Sequence, residues 1–271
     1  MNYKKFIGVD FSGAASAGKN IWVAAGIEKG DFLHVLDCRK GEKLSGSSRS
    51  REACLDALEG YILQQGEALV GFDFPFGLPH ALVKEKDWES FVYNFPARYN
   101  SPEQFRSSCY ERAGGKELKR AADYNCRAPF SPYNLRVFKQ TYFGIKDLLS
   151  PLVRSGMVSV LPMQAPKHKR PMLIEICPAS TLKAANLYFS YKGREEEKLL
   201  RRFKILDYLE KERKLFLESG EMREMVVRDP GGDALDSLLA LAAGFGARLS
   251  ISGGSDIPGG GEWKIEGHTY Y

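Results

Sequence analysis

The sequence predicts an α/β protein with a mixed five-stranded sheet flanked by helices. Three closely spaced apolar runs within 5–40 leave no room for crossover helices, so they predict an antiparallel meander. A helical segment and a fourth apolar run follow within 51–74, which is the arrangement that a parallel strand requires. With 44% hydrophobic and 27% charged residues among 271, the composition excludes a disordered or fibrous chain.

The first four strands and their connecting helix follow from local signals. The meander strands are predicted over 6–9, 21–27 and 32–36, separated by small-residue and glycine-containing turns. Ser50 can cap a helix over 51–65, in which apolar residues recur at helical spacing. The fourth strand is predicted over 68–74 and ends at a proline.

The remainder of the chain is predicted to complete a single domain over 1–271. The proline- and aromatic-rich segment at about 78–156 is interpreted as a mainly helical insertion that covers one edge of the sheet. Its helices are expected near 116–125 and 134–149. The later elements are a fifth strand over 172–177, an amphipathic helix over 194–218 and a buried helix over 233–247. A glycine-rich loop over 253–261 then leads to a short C-terminal strand.

Charge and cysteine content restrict the partners and the compartment only loosely. The 39 Lys and Arg against 34 Asp and Glu are spread along the chain, which permits nucleic acid as a partner without requiring it. Five cysteines without paired short spacing favour reduced thiols and a cytoplasmic location. The longest apolar stretch, 237–247, is too short to cross a bilayer, and the first residues lack a secretory signal, so no membrane association is expected.

Two predicted strands end in nearly the same tetrapeptide, Gly-Val-Asp-Phe at 8–11 and Gly-Phe-Asp-Phe at 71–74. Strand residues alternate between faces, so each glycine shares a face with the following aspartate and is expected to leave open space there. A buried carboxylate is unfavourable unless a cation or hydrogen-bond donors meet it. Neighbouring strand ends would therefore direct Asp10 and Asp73 toward one point.

Further acidic residues open the buried C-terminal helix. Asp233 and Asp236 are three residues apart and can share one face of its first turn. They can also be explained as an N-cap and a capping box, although capping does not account for Asp10 and Asp73. Glu175, within the fifth strand, is either a fifth acidic ligand or an edge residue facing solvent.

Carboxylates from two strands and one helix suit Mg²⁺ or Mn²⁺, because both ions prefer oxygen ligands. The candidate metal ligands are Asp10, Asp73, Asp236 and Glu175, with Asp233 as a second ligand or a neighbour. Two such ions about 4 Å apart can stabilise the attacking and leaving oxygens of a phosphoryl displacement.

Four segments carry a family resemblance. Gly-Val-Asp-Phe-Ser-Gly-Ala (8–14), Gly-Phe-Asp-Phe-Pro-Phe-Gly-Leu-Pro (71–79), Glu-Ile-Cys-Pro-Ala-Ser-Thr (175–181) and Asp-Ala-Leu-Asp-Ser-Leu-Leu-Ala (233–240) resemble domain-of-unknown-function family 429, a group of expected ribonuclease H-like nucleases. The Asp-x-x-Asp helix start is also similar to that of Holliday-junction resolvases within the ribonuclease H-like superfamily.

The resemblance implies a ribonuclease H-like fold over nearly the whole chain and a divalent-metal-dependent nuclease activity. It assigns metal-ligand roles to Asp10, Asp73 and either Asp233 or Asp236. Many nucleases of the superfamily have glutamate at the fourth-strand position, where this chain has the shorter Asp73.

The predicted insertion interleaves basic and aromatic residues. Arg127, Arg136 and Lys139 are the candidates for holding a substrate phosphate, and the nearby aromatic rings could stack on bases of DNA or RNA. The alternative is that the aromatic residues form a small core of the insertion.

Three other functions are weighed against the nuclease. Residues 13–20 approach the P-loop pattern, but a strand follows Lys19 where a helix is needed, and Asn20 replaces the hydroxyl residue. An actin-like or sugar-kinase-type phosphotransferase opens on the same meander but requires two such halves. A non-catalytic binding module on the same fold is the third alternative.

Overall fold

A computed structural model of the chain describes residues 4–253 and 261–271. The strands are β1 (Lys5–Asp10), β2 (Trp22–Lys29), β3 (Phe32–Lys40), β4 (Ala68–Phe72), β5 (Ser159–Val160), β6 (Met172–Ile176), β7 (Leu215–Leu217) and β8 (Thr269–Tyr270). The helices are α1 (Ala17–Asn20), α2 (Arg51–Leu63), α3 (Trp88–Arg98), α4 (Pro102–Arg112), α5 (Ala121–Asn125), α6 (Phe138–Gly144), α7 (Ser150–Ser155), α8 (Pro178–Ala184), α9 (Glu196–Lys211), α10 (Gly220–Arg228), α11 (Asp233–Gly253) and α12 (Trp263–Glu266). Short 3-10 turns lie at Gly41–Lys43 and His80–Leu82, and a π-helical turn lies at Ile145–Leu149.

The sheet has the strand order β5-β6-β4-β1-β2-β3-β7, and β8 pairs with β6. Strands β1, β2 and β3 form the antiparallel meander, and β4 and β6 extend it in parallel on the other side of β1. The predicted fold class is confirmed, since the protein is an α/β structure whose mixed sheet has three antiparallel strands followed by parallel strands and is flanked by helices. The sheet is larger than the five strands predicted for it, because β5 and β7 are too short to show as apolar runs and the predicted short C-terminal strand, β8, joins the sheet beside β6.

The two faces of the sheet carry separate cores, as expected for central strands that are buried on both sides. Ile7 and Val9 of β1 contribute to the core shared with α2 and the insertion. Phe6 of β1 and Ile174 of β6 contribute to the opposite core, which contains α9 and α11. Because residues alternate along β1, Asp10 lies on the same side as Phe6 and Gly8, toward α11.

The insertion is mainly helical, as predicted, but it covers a face of the sheet and not an edge. The buried aromatic residues Phe91, Phe95, Tyr99, Phe105 and Tyr142 belong to the same core as the inward residues of β1. The expected edge position is therefore wrong. Helices α3 and α4 escaped prediction because each contains a proline, which usually breaks a helix. Pro102 opens α4, where proline is tolerated, whereas Pro96 lies inside α3 near its C-terminal end.

The predicted helix over 194–218 is interrupted. Helix α9 ends at Lys211, Lys214 adopts a left-handed backbone with φ 54°, and β7 and α10 follow. The buried helix predicted over 233–247 is present as the longer α11. The predicted glycine-rich loop at 253–261 lies largely outside the described residues.

Helix α11 is long and apolar enough over Asp233–Ile251 to cross a membrane by length and composition alone, with mean hydropathy 1.4. This length contradicts the expectation that every apolar segment is too short. However, 67% of the window is buried inside the fold, where α11 packs on β1, β2 and β4. Burial of this kind is typical of a core helix.

Candidate functional site

Asp10 and Asp73 lie side by side at the ends of the two central parallel strands. Val9 of β1 pairs with Phe72 of β4, and the amide of Asp73 donates to the carbonyl of Val9 at 3.0 Å. The two aspartates occupy the next positions in this register. Neighbouring strands are about 4.8 Å apart, and residues in matching positions point to the same face. The structure thus places both carboxylates at the same end of the two central strands and on the same face of the sheet.

The glycines before these aspartates accommodate a helix. A Cβ atom on Gly8 would lie 2.2 Å from the backbone nitrogen of Leu241, and one on Gly71 would lie 3.2 Å from the carbonyl oxygen of Ala240. The expected open space beside the carboxylates is therefore wrong, because the backbone of α11 fills it. This close approach brings the first turn of α11 to the strand ends.

The first turn of α11 adds Asp233 and Asp236 to the site. Capping of the helix is supplied by Asp229, whose Oδ2 accepts a hydrogen bond from the amide of Ala234 at 3.1 Å. The capping role of Asp229 was not predicted, because the loop before the helix has no strong cap pattern. The capping explanation of Asp233 and Asp236 is not supported, because their carboxylates face another partner.

That partner is the segment between α8 and α9. Lys192 Nζ lies 3.1 Å from Asp233 Oδ1 and 2.8 Å from Asp236 Oδ2. The hydroxyl of Tyr191 donates to Asp236 Oδ1, so both oxygens of Asp236 are engaged. No sequence pattern marks Tyr191 and Lys192, since they lie in an irregular segment that reaches the site only through tertiary packing.

The four aspartates influence one another electrostatically. Burial, and then the charge of Asp236, raises the pKa of Asp10 well above its usual range, although Lys192 acts in the opposite direction. The same two causes raise the pKa of Asp73 to about 8. Burial also raises the pKa of Asp233, and Lys192 partly offsets this. The site carries more negative charge than one lysine balances.

Lys192 remains an ammonium ion in this environment. Burial disfavours its charged form, but the carboxylates of Asp236, Asp10 and Asp233 raise the pKa of Lys192 above its usual value. Tyr191 remains a neutral hydroxyl, because burial and the charge of Asp236 raise its pKa well above the usual value.

Glu175 does not join the aspartates. Its carboxylate accepts from Arg120 at 2.5 and 2.8 Å, from the amide of Phe76 at 2.7 Å and from the hydroxyl of Thr269 at 2.6 Å. Arg120 and Glu175 are 1% and 3% exposed, so this is a buried ion pair. We correct the predicted ligand role and the edge alternative, since Glu175 is committed to Arg120 and is buried.

A cleft of about 700 Å³ opens beside the aspartates, between the sheet end and the insertion. Asp73, Asp236 and Lys192 lie in its wall. The wall also carries aromatic rings, among them Phe130, Tyr188 and Phe189, and the exposed guanidinium of Arg136. Lys183 Nζ lies 4.6 Å from the ring centroid of Tyr188, and the guanidinium of Arg136 lies 5.4 Å from that of Phe130.

Of the predicted phosphate-binding residues, only Arg136 lies in the wall of the cleft as the described residues define it. Lys139 is exposed and lies 3.5 Å from Glu103. Arg127 is exposed in a left-handed turn with φ 55°, and its carbonyl accepts a hydrogen bond from Lys183.

Three aromatic residues that were candidates for base stacking are buried in the core instead. Tyr99, Tyr133 and Tyr142 are at most 1% exposed. The alternative interpretation, in which these rings form a core, is correct for them.

The donor set fits a divalent ion with few protein ligands. Among residues 4–253 and 261–271, no three or more His, Cys, Asp or Glu side chains are grouped so that they could hold a metal. Within the same ranges, no hydrogen-bond donor engages the carboxylate of Asp10 or of Asp73. Mg²⁺ is commonly held by one or two carboxylates, with water and substrate phosphates completing its ligands. Asp10 and Asp73 match that pattern, whereas the predicted four-ligand set does not form.

The P-loop alternative is not supported. Lys19 lies in the last turn of the four-residue helix α1, whereas a phosphate-binding lysine lies where a helix begins. Close packing explains the glycines, because a Cβ on Gly18 would lie 2.0 Å from the carbonyl oxygen of Ser48. The kinase-type alternative lacks its second half, since the described part of the chain contains one meander in one sheet.

Comparisons with known proteins give a loose structural likeness and no match in sequence. No protein-family model matches the chain, and no curated protein matches it in sequence. The resemblance to domain-of-unknown-function family 429 therefore stays a prediction. Among solved structures, the chain is similar to the yeast mitochondrial Holliday junction resolvase Ydc2, with 12% identity over 91% of this chain and 82% of that chain and a TM-score of 0.34. A likeness this loose carries no argument about the site.

Proposed function

We propose that the protein is a divalent-metal-dependent phosphodiesterase that acts on nucleic acid, with its reaction centre at Asp10 and Asp73. The observation that carries the proposal is the placement of these two carboxylates in matching positions at adjacent strand ends. Their pKa values are raised by burial and by Asp236, and no donor among the described residues meets them. Such a pair is stabilised most simply by a bound cation.

Asp10 and Asp73 would hold Mg²⁺ or Mn²⁺, which supplies Lewis-acid stabilisation of the phosphoryl group when it is bound. Asp10 is 7% exposed, so it is shielded from bulk water. The side-chain amide of Gln140 donates to the carbonyl of Asp73 and ties the insertion to the strand end. The chain thus keeps the two carboxylates in fixed positions before substrate binds, which reduces the reorganisation needed for reaction.

The cleft suits a nucleic acid strand. The exposed guanidinium of Arg136 can meet a phosphate, and the rings of Phe130 and Tyr188 can stack on bases. Tyr188 is 51% exposed, so its ring is accessible from the cleft. An aromatic and cationic wall next to acidic residues favours a phosphodiester substrate over a neutral one.

The experiment is a cleavage assay with single-stranded, duplex, hybrid and branched substrates in Mg²⁺ or Mn²⁺. We expect wild-type protein to cleave at least one of them, and Asp10→Asn to abolish cleavage while its circular dichroism spectrum is unchanged. Asp31→Asn is the matched control, because the side chain of Asp31 is 84% exposed and lies in the turn between β2 and β3, at the opposite end of the meander from Asp10. Absence of cleavage by wild-type protein with either ion would contradict the proposal.

A second candidate is a non-catalytic nucleic-acid-binding module on the same fold. It is favoured by the engagement of Asp236 by Tyr191 and Lys192, which leaves fewer carboxylates for metal binding. Calorimetric titration with Mn²⁺ separates the two candidates. Binding that is lost in Asp73→Asn supports the phosphodiesterase, and absence of binding together with retained oligonucleotide binding supports the module.

A further inference from the structure

We propose that the ammonium group of Lys192 takes the place of a second divalent ion, so that each chain binds one ion and not two. The inference rests on the proposed function and deepens it, because it divides the four aspartates between two different cations. It replaces the two-ion site that the sequence predicts.

The hydrogen bonds divide the aspartates into two pairs. Asp233 and Asp236 each give one oxygen to Lys192 Nζ, at 3.1 and 2.8 Å, and Asp236 gives its other oxygen to Tyr191. Asp10 and Asp73 accept no hydrogen bond at their carboxylates from the described residues. One pair therefore already has a cation of the chain as its partner, and the other pair remains available for an external ion.

The segment that carries Lys192 is held in place by a buried arginine. Arg202, which is 2% exposed, donates to the carbonyl of Tyr191 at 2.6 Å and to that of Gly193 at 3.0 Å. The amide of Gly193 in turn donates to the carbonyl of Pro230 at 2.8 Å. Hydrogen bonds on both sides of Lys192 thus position its backbone, which distinguishes it from a surface lysine that forms an incidental ion pair.

A third anchor lies where the segment crosses the loop before α11. A Cβ atom on Gly232 would lie 2.8 Å from the ring of Tyr191, so the absence of a side chain at Gly232 allows the ring to pack there. This contact places the Tyr191 hydroxyl and the neighbouring ammonium of Lys192 over the first turn of α11.

The position of Lys192 also suits contact with substrate. Its side chain is 50% exposed and lies in the wall of the cleft. An ammonium group has three donors, and Asp233 and Asp236 use two of them. The remaining donor can meet a phosphate oxygen in the cleft, where a second metal ion would otherwise supply positive charge.

The test is the number of Mn²⁺ ions bound per chain, measured at pH 8 by calorimetry and by the loss of free Mn²⁺ signal in electron paramagnetic resonance. We expect one ion for the wild type, one for Lys192→Arg, and a rise to two for Lys192→Met, because Asp233 and Asp236 become available. Lys183→Met is the matched control and should bind one ion. Lys183 lies against Tyr188 of the cleft wall but contacts that ring and a backbone carbonyl, and no aspartate of the site.

Each outcome separates this proposal from the proposed function. Two ions on the wild type, or an unchanged stoichiometry in folded Lys192→Met, would overturn the role of Lys192 and leave a metal-dependent reaction intact. Absence of Mn²⁺ binding by wild type and Lys192→Met would overturn the proposed function and this inference with it. If Lys192→Met does not fold, as judged by its melting transition, the counts for wild type and Lys192→Arg decide.

Discussion

A Cβ atom at Gly8 would lie 2.2 Å from the backbone nitrogen of Leu241, so β1 and α11 touch backbone to backbone. This contact sets the distance between the strand that carries Asp10 and the helix that carries Asp236. The mutual influence of the aspartates on their pKa values depends on that distance, because charge interactions weaken as separation grows.

Gly8→Ala is expected to destabilise the protein by roughly 1–3 kcal/mol, since overpacking forces the helix away from the sheet. Urea unfolding measures the change. Gly60→Ala is the control, because Gly60 lies within α2 and a Cβ there meets no atom within 4 Å. That control should gain about 0.5–1 kcal/mol from the higher helix propensity of alanine. A Gly8→Ala variant as stable as wild type would contradict the close contact.

Asp73→Asn is expected to change the pH dependence of stability. The pKa of Asp73 is raised to about 8 in the folded protein, so the unfolded chain releases this proton at lower pH. The stability that the protonated carboxyl contributes is complete below about pH 4 and is lost as pH rises through about 8. Asparagine cannot ionise and avoids this loss.

In metal-free buffer, the melting temperature of Asp73→Asn should exceed that of wild type by a margin that grows from pH 5 to roughly 10 °C at pH 9. Scanning calorimetry from pH 5 to 9 measures this difference. Asp31→Asn, at an exposed position, should follow the wild-type profile. Parallel profiles for Asp73→Asn and wild type would show that Asp73 is not protonated near neutral pH.

Arg120→Met is expected to cost about 3–5 kcal/mol, because it leaves the buried carboxylates of Asp123 and Glu175 without their cation. Denaturant unfolding measures the loss. Arg228→Met is the control, since the Arg228 side chain is 69% exposed and pairs with Glu224 on the same helix. A change below about 0.5 kcal/mol is expected for that control.

Glu175→Gln tests whether the same network has a role in metal binding. Because Glu175 is committed to Arg120, Phe76 and Thr269, we expect a folded Glu175→Gln variant to bind Mn²⁺ as wild type does. Calorimetric titration provides the measurement. Loss of the ion from the folded variant would return Glu175 to the list of metal ligands.

Arg136→Ala is expected to weaken oligonucleotide binding. The slope of log affinity against log salt concentration should decrease in magnitude by about 1, as expected for the loss of one phosphate contact. Tyr188→Ala should weaken binding by about 1–3 kcal/mol through lost base stacking, with no change in that slope. Lys139→Ala is the control, because Lys139 lies outside the cleft wall formed by the described residues. Equal effects of Arg136→Ala and Lys139→Ala would place the nucleic acid elsewhere.

Local patterns in the sequence were sufficient for the central fold. The apolar runs of β1 to β4 and β6 are bounded by turn residues, and helix α2 begins after Ser50, whose hydroxyl accepts a hydrogen bond from Ala53 as a cap. The short C-terminal strand β8 was predicted, but the short strands β5 and β7 and the break at Lys214 could not be. Their conformations depend on neighbours distant in the chain.

The strand ends that carry Asp10 and Asp73 are predictable from the amino-acid sequence alone, because the apolar run before each aspartate is a local and strong signal. Which carboxylates already have a cation as a partner depends on packing between distant segments. Arg120 reaches Glu175 from the insertion, and Lys192 reaches Asp233 and Asp236 from an irregular segment. Ion pairs between residues so far apart in the sequence form only when packing brings the partners together, and no periodic pattern along the chain predicts them.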